Sequence, residues 1–205
     1  DILRDILMII ENSFCQNQEE LTNLIAISCE VVRVENVPES VARFLESYAR
    51  QLTKFAAEKK FSLFFVCYKN LYKLAKEFQV KESQKMFIQT ILKIFDKNLW
   101  KTLIEEFQSG FQNLRHDFLD FFGEVGESLV PLLIEKEMES INSKEMIYFD
   151  TFLRRRRIAE ALFAIIERHG TADALNYFEK QLHQSDYAVT KNAVDLLSDI
   201  RHPEL

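Results

Sequence analysis

The stretch "FSLFFVCYKNLYKLAKEF", Phe61 to Phe78, decides what kind of fold this chain makes. Phe61, Phe64, Phe65, Tyr68, Leu71, Tyr72, Ala75 and Phe78 fall at i, i+3, i+4, i+7 and onward, the spacing that gathers side chains on one face of an α-helix. At ~100° per residue the same helix carries Lys69, Lys73 and Lys76 together on one flank, within about 60° of arc. The aromatic stripe could serve as a groove for a partner helix or as a platform for stacked bases. Core packing is the simpler expectation, because helices stacked in layers bury a broad face.

The rest of the composition agrees with a helical chain. Only 4 Gly and 3 Pro occur in 205 residues, far less turn punctuation than a β-sheet protein needs. A hydrophobic share of 47% excludes disordered and collagen-like compositions, and the length suffices for a sizeable core. No apolar run reaches the roughly 20 residues needed to span a bilayer; "SLFFVCY" is bounded by Lys60 and Lys69. The chain starts at Asp1 without a methionine and stops at Leu205, so a piece of a longer protein is expected. Cys15, Cys29 and Cys67 show no metal or disulfide spacing and sit among apolar neighbours, as buried reduced thiols do. A cytoplasmic location is the corresponding expectation.

Charge is distributed unevenly. Residues 1–41 hold 2 basic and 8 acidic side chains, residues 42–101 hold 13 and 5, and residues 102–205 hold 11 and 19. The basic middle includes eleven lysines, from Lys54 to Lys101, and such an excess attracts phosphate backbones or acidic proteins without any motif. Lysine is a poorer choice than arginine for bidentate phosphate or base contacts, and acidic segments flank this one. An acidic protein partner is therefore at least as good a match as nucleic acid. The candidate binding residues are Lys69, Lys73, Lys76, Lys85 and Lys93.

Further helices follow on both sides. Ile2, Ile6, Ile9 and Ile10 recur at helical spacing, and Leu21, Leu24, Ile25 and Cys29 begin a second stripe. "CEVVRVENVPE" reads as a helix end and turn, with a short strand as the alternative. Residues 39–60 put Val41, Phe44, Leu45, Tyr48, Leu52, Phe55 and Ala56 on one face. Ser83 is the expected cap of a helix bearing Phe87, Ile88, Ile91, Leu92 and Phe95; Asn98 is the expected cap of the next, with Leu99, Leu103, Ile104 and Phe107 inward and Gly110 closing it. Asp150 is the expected N-cap of the helix that carries "LRRRRIAEALFAII".

Three segments of the second half align with one another. "LRHDFLDFFGEVGESLVPLL", Leu114 to Leu133, sets a basic residue, an apolar pair three and four positions on, a second apolar pair, a turn and a new helix. In the second copy Arg155 stands at the place of Arg115, Ile158 and Ala159 at Phe118 and Leu119, and Ala161 and Leu162 at Phe121 and Phe122. "VTKNAVDLLSDIRHPEL" repeats it again with Ala193 and Val194, then Leu196 and Leu197; Thr190 takes the basic slot and Lys191 follows it. Unequal spacings of 40 and 35 residues belong to a degenerate helical repeat.

This pattern resembles the HEAT-repeat family of α-solenoids over residues 113–205, with Gly123, Gly126 and Pro131 marking the turn between helices. The resemblance implies an all-α fold, an α-α superhelix of stacked antiparallel helix pairs. Arg115, Arg155 and Lys191 would be structural positions that pair with acids of neighbouring repeats. Residues 1–112 form either divergent repeats of one continuous array or a separate helical region. The implied role is a non-catalytic scaffold or regulatory module that binds another protein. Nucleic-acid binding in the manner of the HEAT-like DNA glycosylases is the alternative, and a HEAT-like lyase the more remote one.

Reactive signatures are scarce. There is no H-E-x-x-H, no Gly-rich phosphate loop and no G-x-S-x-G elbow, so no catalytic residue, metal, cofactor or small-molecule substrate is expected. His116, His169, His183 and His202 are scattered; Glu179 and His183 are four apart, as surface pairs often are. His169, beside Gly170, suits a helix C-terminus. The pairs Glu105 and Glu106, Asp117 and Asp120, and the set Glu135, Glu137 and Glu139 read as solvated helix faces. Four consecutive residues sweep about 300° of a helix, so Arg154 to Arg157 cannot form one patch.

Overall fold

The computed structural model describes residues 5, 8–9, 18–35, 37–78, 82–109, 112–142, 148–170, 172–183, 185 and 187–200. Among these, every regular element is helical: α1 (Gln18–Glu35), α2 (Pro38–Ala57), α3 (Phe61–Ala75), α4 (Ser83–Ile94), α5 (Lys97–Ser109), α6 (Arg115–Val125), α7 (Val130–Asn142), α8 (Tyr148–His169), α9 (Ala172–Leu182) and α10 (Tyr187–Ile200). Short 3-10 turns, Gln112–Leu114 and Gly126–Leu129, precede and follow α6. The all-α expectation holds. The chain divides into two compact units, residues 1–102 and 103–205, with the division inside α5.

In the first unit each helix packs on its sequence neighbour and, more extensively, on the helix two places along: α1 lies on α3, and α2 on α4. "CEVVRVE" stays helical to Glu35, so the strand alternative is excluded; Pro38 then opens α2 from its first position, where its missing N–H costs nothing. The α2 stripe is buried as the spacing requires, with Phe44, Leu45, Tyr48 and Leu52 at 0% exposure. That helix ends at Ala57, short of Lys60, because Lys59 turns left-handed (φ 57°) and the Lys60 N–H bonds back to the Phe55 carbonyl at 2.8 Å.

The aromatic stripe of α3 is core: Phe61, Phe64, Phe65, Tyr68, Leu71, Ala75 and Phe78 are all buried. Burying each such ring contributes about 2 kcal/mol. Edge-on contacts such as Phe44 against Phe78 (5.7 Å, 89°) suit the positive ring edge to the negative face. Ser28 and Tyr48 form a buried polar pair on the α1–α2 seam. Ser28 Oγ donates its only proton to the Leu24 carbonyl at 2.6 Å, so in the 3.1 Å contact with Tyr48 the tyrosine hydroxyl must be the donor.

Two caps of the first unit differ from expectation. Ser83 is the first residue inside α4 and is buried, while the preceding Glu82 adopts the left-handed backbone (φ 61°). At α5 the cap is Asp96, not Asn98: Asp96 Oδ1 accepts the Leu99 N–H at 2.7 Å, and the helix has already begun at Lys97. Gly110, Cys15, His202 and the first apolar positions Ile2, Ile6 and Ile10 lie outside the described residues.

In the second unit α6 lies on α8 and α8 on α10, with α7 against α8 and α9 against α10. Phe118, Phe121, Phe122, Leu133, Ile158, Leu162 and Phe178 fill the interior, and Phe107 of α5 meets Phe118 and Phe122 at 5.7 and 5.4 Å. Gly126 marks the turn after α6 with φ 78°, a backbone that side chains with a Cβ resist. Pro131 sits in the first turn of α7. The helix bearing the four arginines starts at Tyr148, so Asp150 lies inside its first turn and is not its N-cap.

Candidate functional site

The sequence directs attention to the lysine flank of α3, and Lys69, Lys73 and Lys76 are all exposed there. Lys73 does more than face solvent. With Asn70 and Leu74 it forms one wall of an open cleft of about 430 Å³ against α1. The opposite wall is Thr22, Ala26, Glu30 and Arg33, residues three or four apart on α1 and hence on one face. Ile25 and the buried Cys29 contribute its apolar floor.

Arg33 organises the rim. Its guanidinium bonds Glu30 one turn back on α1 at 2.5 Å and also Glu77, just past the end of α3. The planar guanidinium suits this double role, since its separate N–H groups can serve two carboxylates at once. Lys73 adds a second cation to the cleft, and Ile27 (59% exposed) leaves apolar surface among its lining residues. The arrangement combines apolar surface with two cations, Arg33 and Lys73, and two carboxylates, Glu30 and Glu77.

Cys29 supplies no nucleophile. Burial pushes its thiol up from 9.0 to about 12; Arg33 pulls the other way, and Glu30 and Glu77 add to the rise. The thiolate is the reactive form, so this sulfur is inert at neutral pH. Cys67 is likewise buried. No group of three or more His, Cys, Asp or Glu that could hold a metal occurs among the described residues. Glu179 and His183 are both exposed on the α9 surface.

None of the other candidate lysines, Lys69, Lys76, Lys85 and Lys93, lines the cleft. Lys85 is exposed on α4 with Glu82 at 3.8 Å, and Lys93 is exposed near the end of the same helix. Lys81 and the side chains of Glu137 and Glu139 lie outside the described residues. The sequence pattern missed Arg33, Glu30 and Glu77. Their only signal was the i, i+3 spacing of Glu30 and Arg33, while the partner Glu77 is 44 residues away.

The repeat positions do come together, in the second unit. Arg115 Nε donates to Glu160 Oε2 at 2.9 Å and Nη2 donates to Oε1 of the same carboxylate. Arg155, in the equivalent slot of α8, faces Asp195 of α10 at 3.9 Å. Glu160 and Asp195 each stand five residues after the basic slot of their own segment, as Asp120 does in the first. The same step therefore recurs from α6 to α8 and from α8 to α10. Lys191 takes part differently: it pairs with Asp195 on its own helix at 2.9 Å.

Arg155, Arg156 and Arg157 point apart, as the ~100° step per residue demands. Arg155 faces Asp195, Arg156 reaches Glu160 at 3.6 Å, and Arg157 donates to the Phe107 carbonyl at 3.3 Å while lying over the Phe107 ring at 5.8 Å. Burial, and then Arg115, lower the Arg157 pKa, although a guanidinium stays charged at neutral pH.

Gly126 takes the turn position expected of it, whereas Gly123 lies inside α6, and both are close-approach sites. A Cβ on Gly126 would meet the His169 ring at 2.9 Å, and one on Gly123 would meet the Arg168 guanidinium at 2.8 Å. His169 Nε2 lies 2.7 Å from the Gly123 carbonyl, so this histidine ties α8 to α6 in addition to ending its helix.

No helix among the described residues is long and apolar enough to cross a membrane. Comparison of the chain with protein-family models, with curated proteins and with solved structures finds no match in any of the three.

Proposed function

We propose that this protein is a non-catalytic scaffold built as a HEAT-like α-solenoid, which docks an acidic segment of another protein in the cleft between α1 and α3. The observation that carries this reading is the cleft itself, where Lys73 and the bridging Arg33 stand over an apolar floor. Stacking of helices two places apart within each unit supports the solenoid, since that is how paired helices build a layered array. The recurring ion pairs Arg115–Glu160 and Arg155–Asp195 support it further, as one inter-repeat step used twice. A cytoplasmic setting, where Cys29 and Cys67 stay reduced, belongs to the same proposal.

The test compares the wild-type chain with a variant carrying Lys69→Glu, Lys73→Glu and Lys76→Glu. Binding of a fluorescent, Glu-rich amphipathic peptide and of a short labelled DNA duplex is titrated at several salt concentrations. The reading predicts that the peptide binds and that the triple variant loses about tenfold or more in affinity, with helicity by circular dichroism unchanged. Tighter binding of the duplex, with a steep loss as salt rises, would replace protein docking by nucleic-acid binding.

A further inference from the structure

Glu160 of α8 is the meeting point of three arginines. Arg156 and Arg157 leave the same helix about 100° apart, and Glu160, one turn further on, falls between them in helical projection. Arg115 reaches the same carboxylate from α6, with Nε donating to Oε2 at 2.9 Å and Nη2 donating to Oε1. Arg156 Nε stays 3.6 Å from Oε1, outside hydrogen-bond distance, and Arg157 donates to the Phe107 carbonyl at 3.3 Å. Arg157 still belongs to the group electrostatically: after its own burial, Arg115 is the next cause lowering its pKa, and Glu160 raises it.

The charges of this cluster do not balance. Among the described residues, Glu160 is the only acid within ion-pair distance of any of the three arginines. Other acids of the second unit are committed elsewhere: Asp120 and Glu124 hold Arg168, and Asp195 faces Arg155 and Lys191. One carboxylate therefore stands against three guanidiniums, which keep their charge at neutral pH. The surplus cations are accessible, since the Arg156 side chain is 60% exposed and that of Arg115 38%.

We propose that Arg115, Arg156 and Arg157 form a binding site for a phosphate monoester, carried on a phosphorylated side chain of a partner protein. Charge selects the ligand class: a phosphate monoester carries about two negative charges at neutral pH and cancels the surplus, which a single carboxylate leaves half uncompensated. Geometry agrees with it. Forked guanidinium donors suit phosphate oxygens, and both Arg115 and Arg156 have N–H groups beyond those directed at Glu160. The exposure of Arg156 selects the carrier, because an open cation meets a group projecting from another chain more readily than it encloses a free ion. Glu160 orients Arg115 before the phosphate arrives and competes with it afterwards. This site lies wholly in the second unit and stands or falls independently of the α1–α3 cleft.

The probes are three fluorescein-labelled peptides of Gly and Ala that differ at one central residue: phosphoserine, glutamate or serine. Their binding to the full chain is followed by anisotropy at low salt. The phosphoserine peptide is expected to bind saturably, about tenfold or more tighter than the other two. Arg156→Gln should weaken it about tenfold with circular dichroism and melting unchanged, because Arg156 is exposed and makes no hydrogen bond to Glu160. Glu160→Gln should tighten it severalfold although it destabilises the fold, an opposition of signs that a purely structural cluster does not produce. If Glu160→Gln does not fold, Arg156→Gln decides alone. Equal binding of the three peptides overturns the proposal, as does absence of binding or a Glu160→Gln variant that binds more weakly. Displacement of the peptide by inorganic phosphate at equal concentration would assign the site to a free anion. A labelled DNA duplex that binds more tightly than the phosphoserine peptide and loses the same factor with Arg156→Gln would assign it to nucleic acid. Either result overturns the phosphoprotein partner.

Discussion

Arg115 on α6 and Glu160 on α8, 45 residues apart, meet through two bonds between one guanidinium and one carboxylate. Glu160 also faces Arg156 at 3.6 Å, and its charge supports the partly buried Arg157. One acid thus compensates several cations, an asymmetry that mutation should expose. Glu160→Gln is expected to cost about 1.5 kcal/mol, because it leaves the arginines repelling one another. Arg115→Gln is expected to cost about 1 kcal/mol, and Lys191→Gln, which removes an exposed same-helix pair, about 0.3 kcal/mol. Urea denaturation of the three variants gives the order; equal losses for Glu160 and Arg115 would refute the shared-acid account.

Gly126, in the turn, and Gly123, inside α6, should respond differently to the same substitution. Gly126→Ala places a Cβ on a left-handed backbone and against the His169 ring, and is expected to destabilise by about 1–2 kcal/mol. Gly123→Ala meets only the end of the Arg168 side chain, which can swing aside from Asp120 and Glu124. There the gain in helix propensity, about 1 kcal/mol, offsets the lost contacts and leaves stability nearly unchanged. Thermal melts distinguish the pair.

Capping of α5 gives a third expectation. Asp96→Ala removes the acceptor of the Leu99 N–H and should cost about 1 kcal/mol, whereas Asn98→Ala, inside the helix, should stay within about 0.5 kcal/mol of wild type. A larger effect at Asn98 would return the cap to that residue.

Cys29 predicts an alkaline sensitivity. Its folded thiol titrates near 12 against 9.0 for a free one, so the folded state holds the proton more tightly. The stability this contributes is complete below pH 9 and is lost progressively as pH rises towards 12. Cys29→Ser or Cys29→Ala should flatten that decline. Thiol reagents at pH 8 should reach Cys29 and Cys67 only after unfolding, so rapid labelling of the native chain would contradict their burial.

The helices themselves were legible because their apolar stripes are long and aromatic: Phe44, Tyr48, Phe64 and Phe65 are inward in sequence pattern and in structure alike. Caps were harder to read. Asp96 and Asn98 are both good capping residues two positions apart, and only the point where the backbone turns separates them. The basic slots Arg115 and Arg155 showed in the alignment, whereas Glu160 and Asp195 looked like ordinary solvated acids until the partner helix was beside them. The cleft is of the same kind. Lys73 announced itself by its flank, but Arg33 acquires its meaning from Glu77 across a gap that no local pattern spans.

The two ion-pair steps differ in the length of chain they close: Glu160 follows Arg115 by 45 residues, and Asp195 follows Arg155 by 40. The same pairing is reached with five residues more or fewer between its members. Register at this seam is therefore set by the side chains that meet and not by the length of the connecting chain, which can differ by five residues between one step and the next.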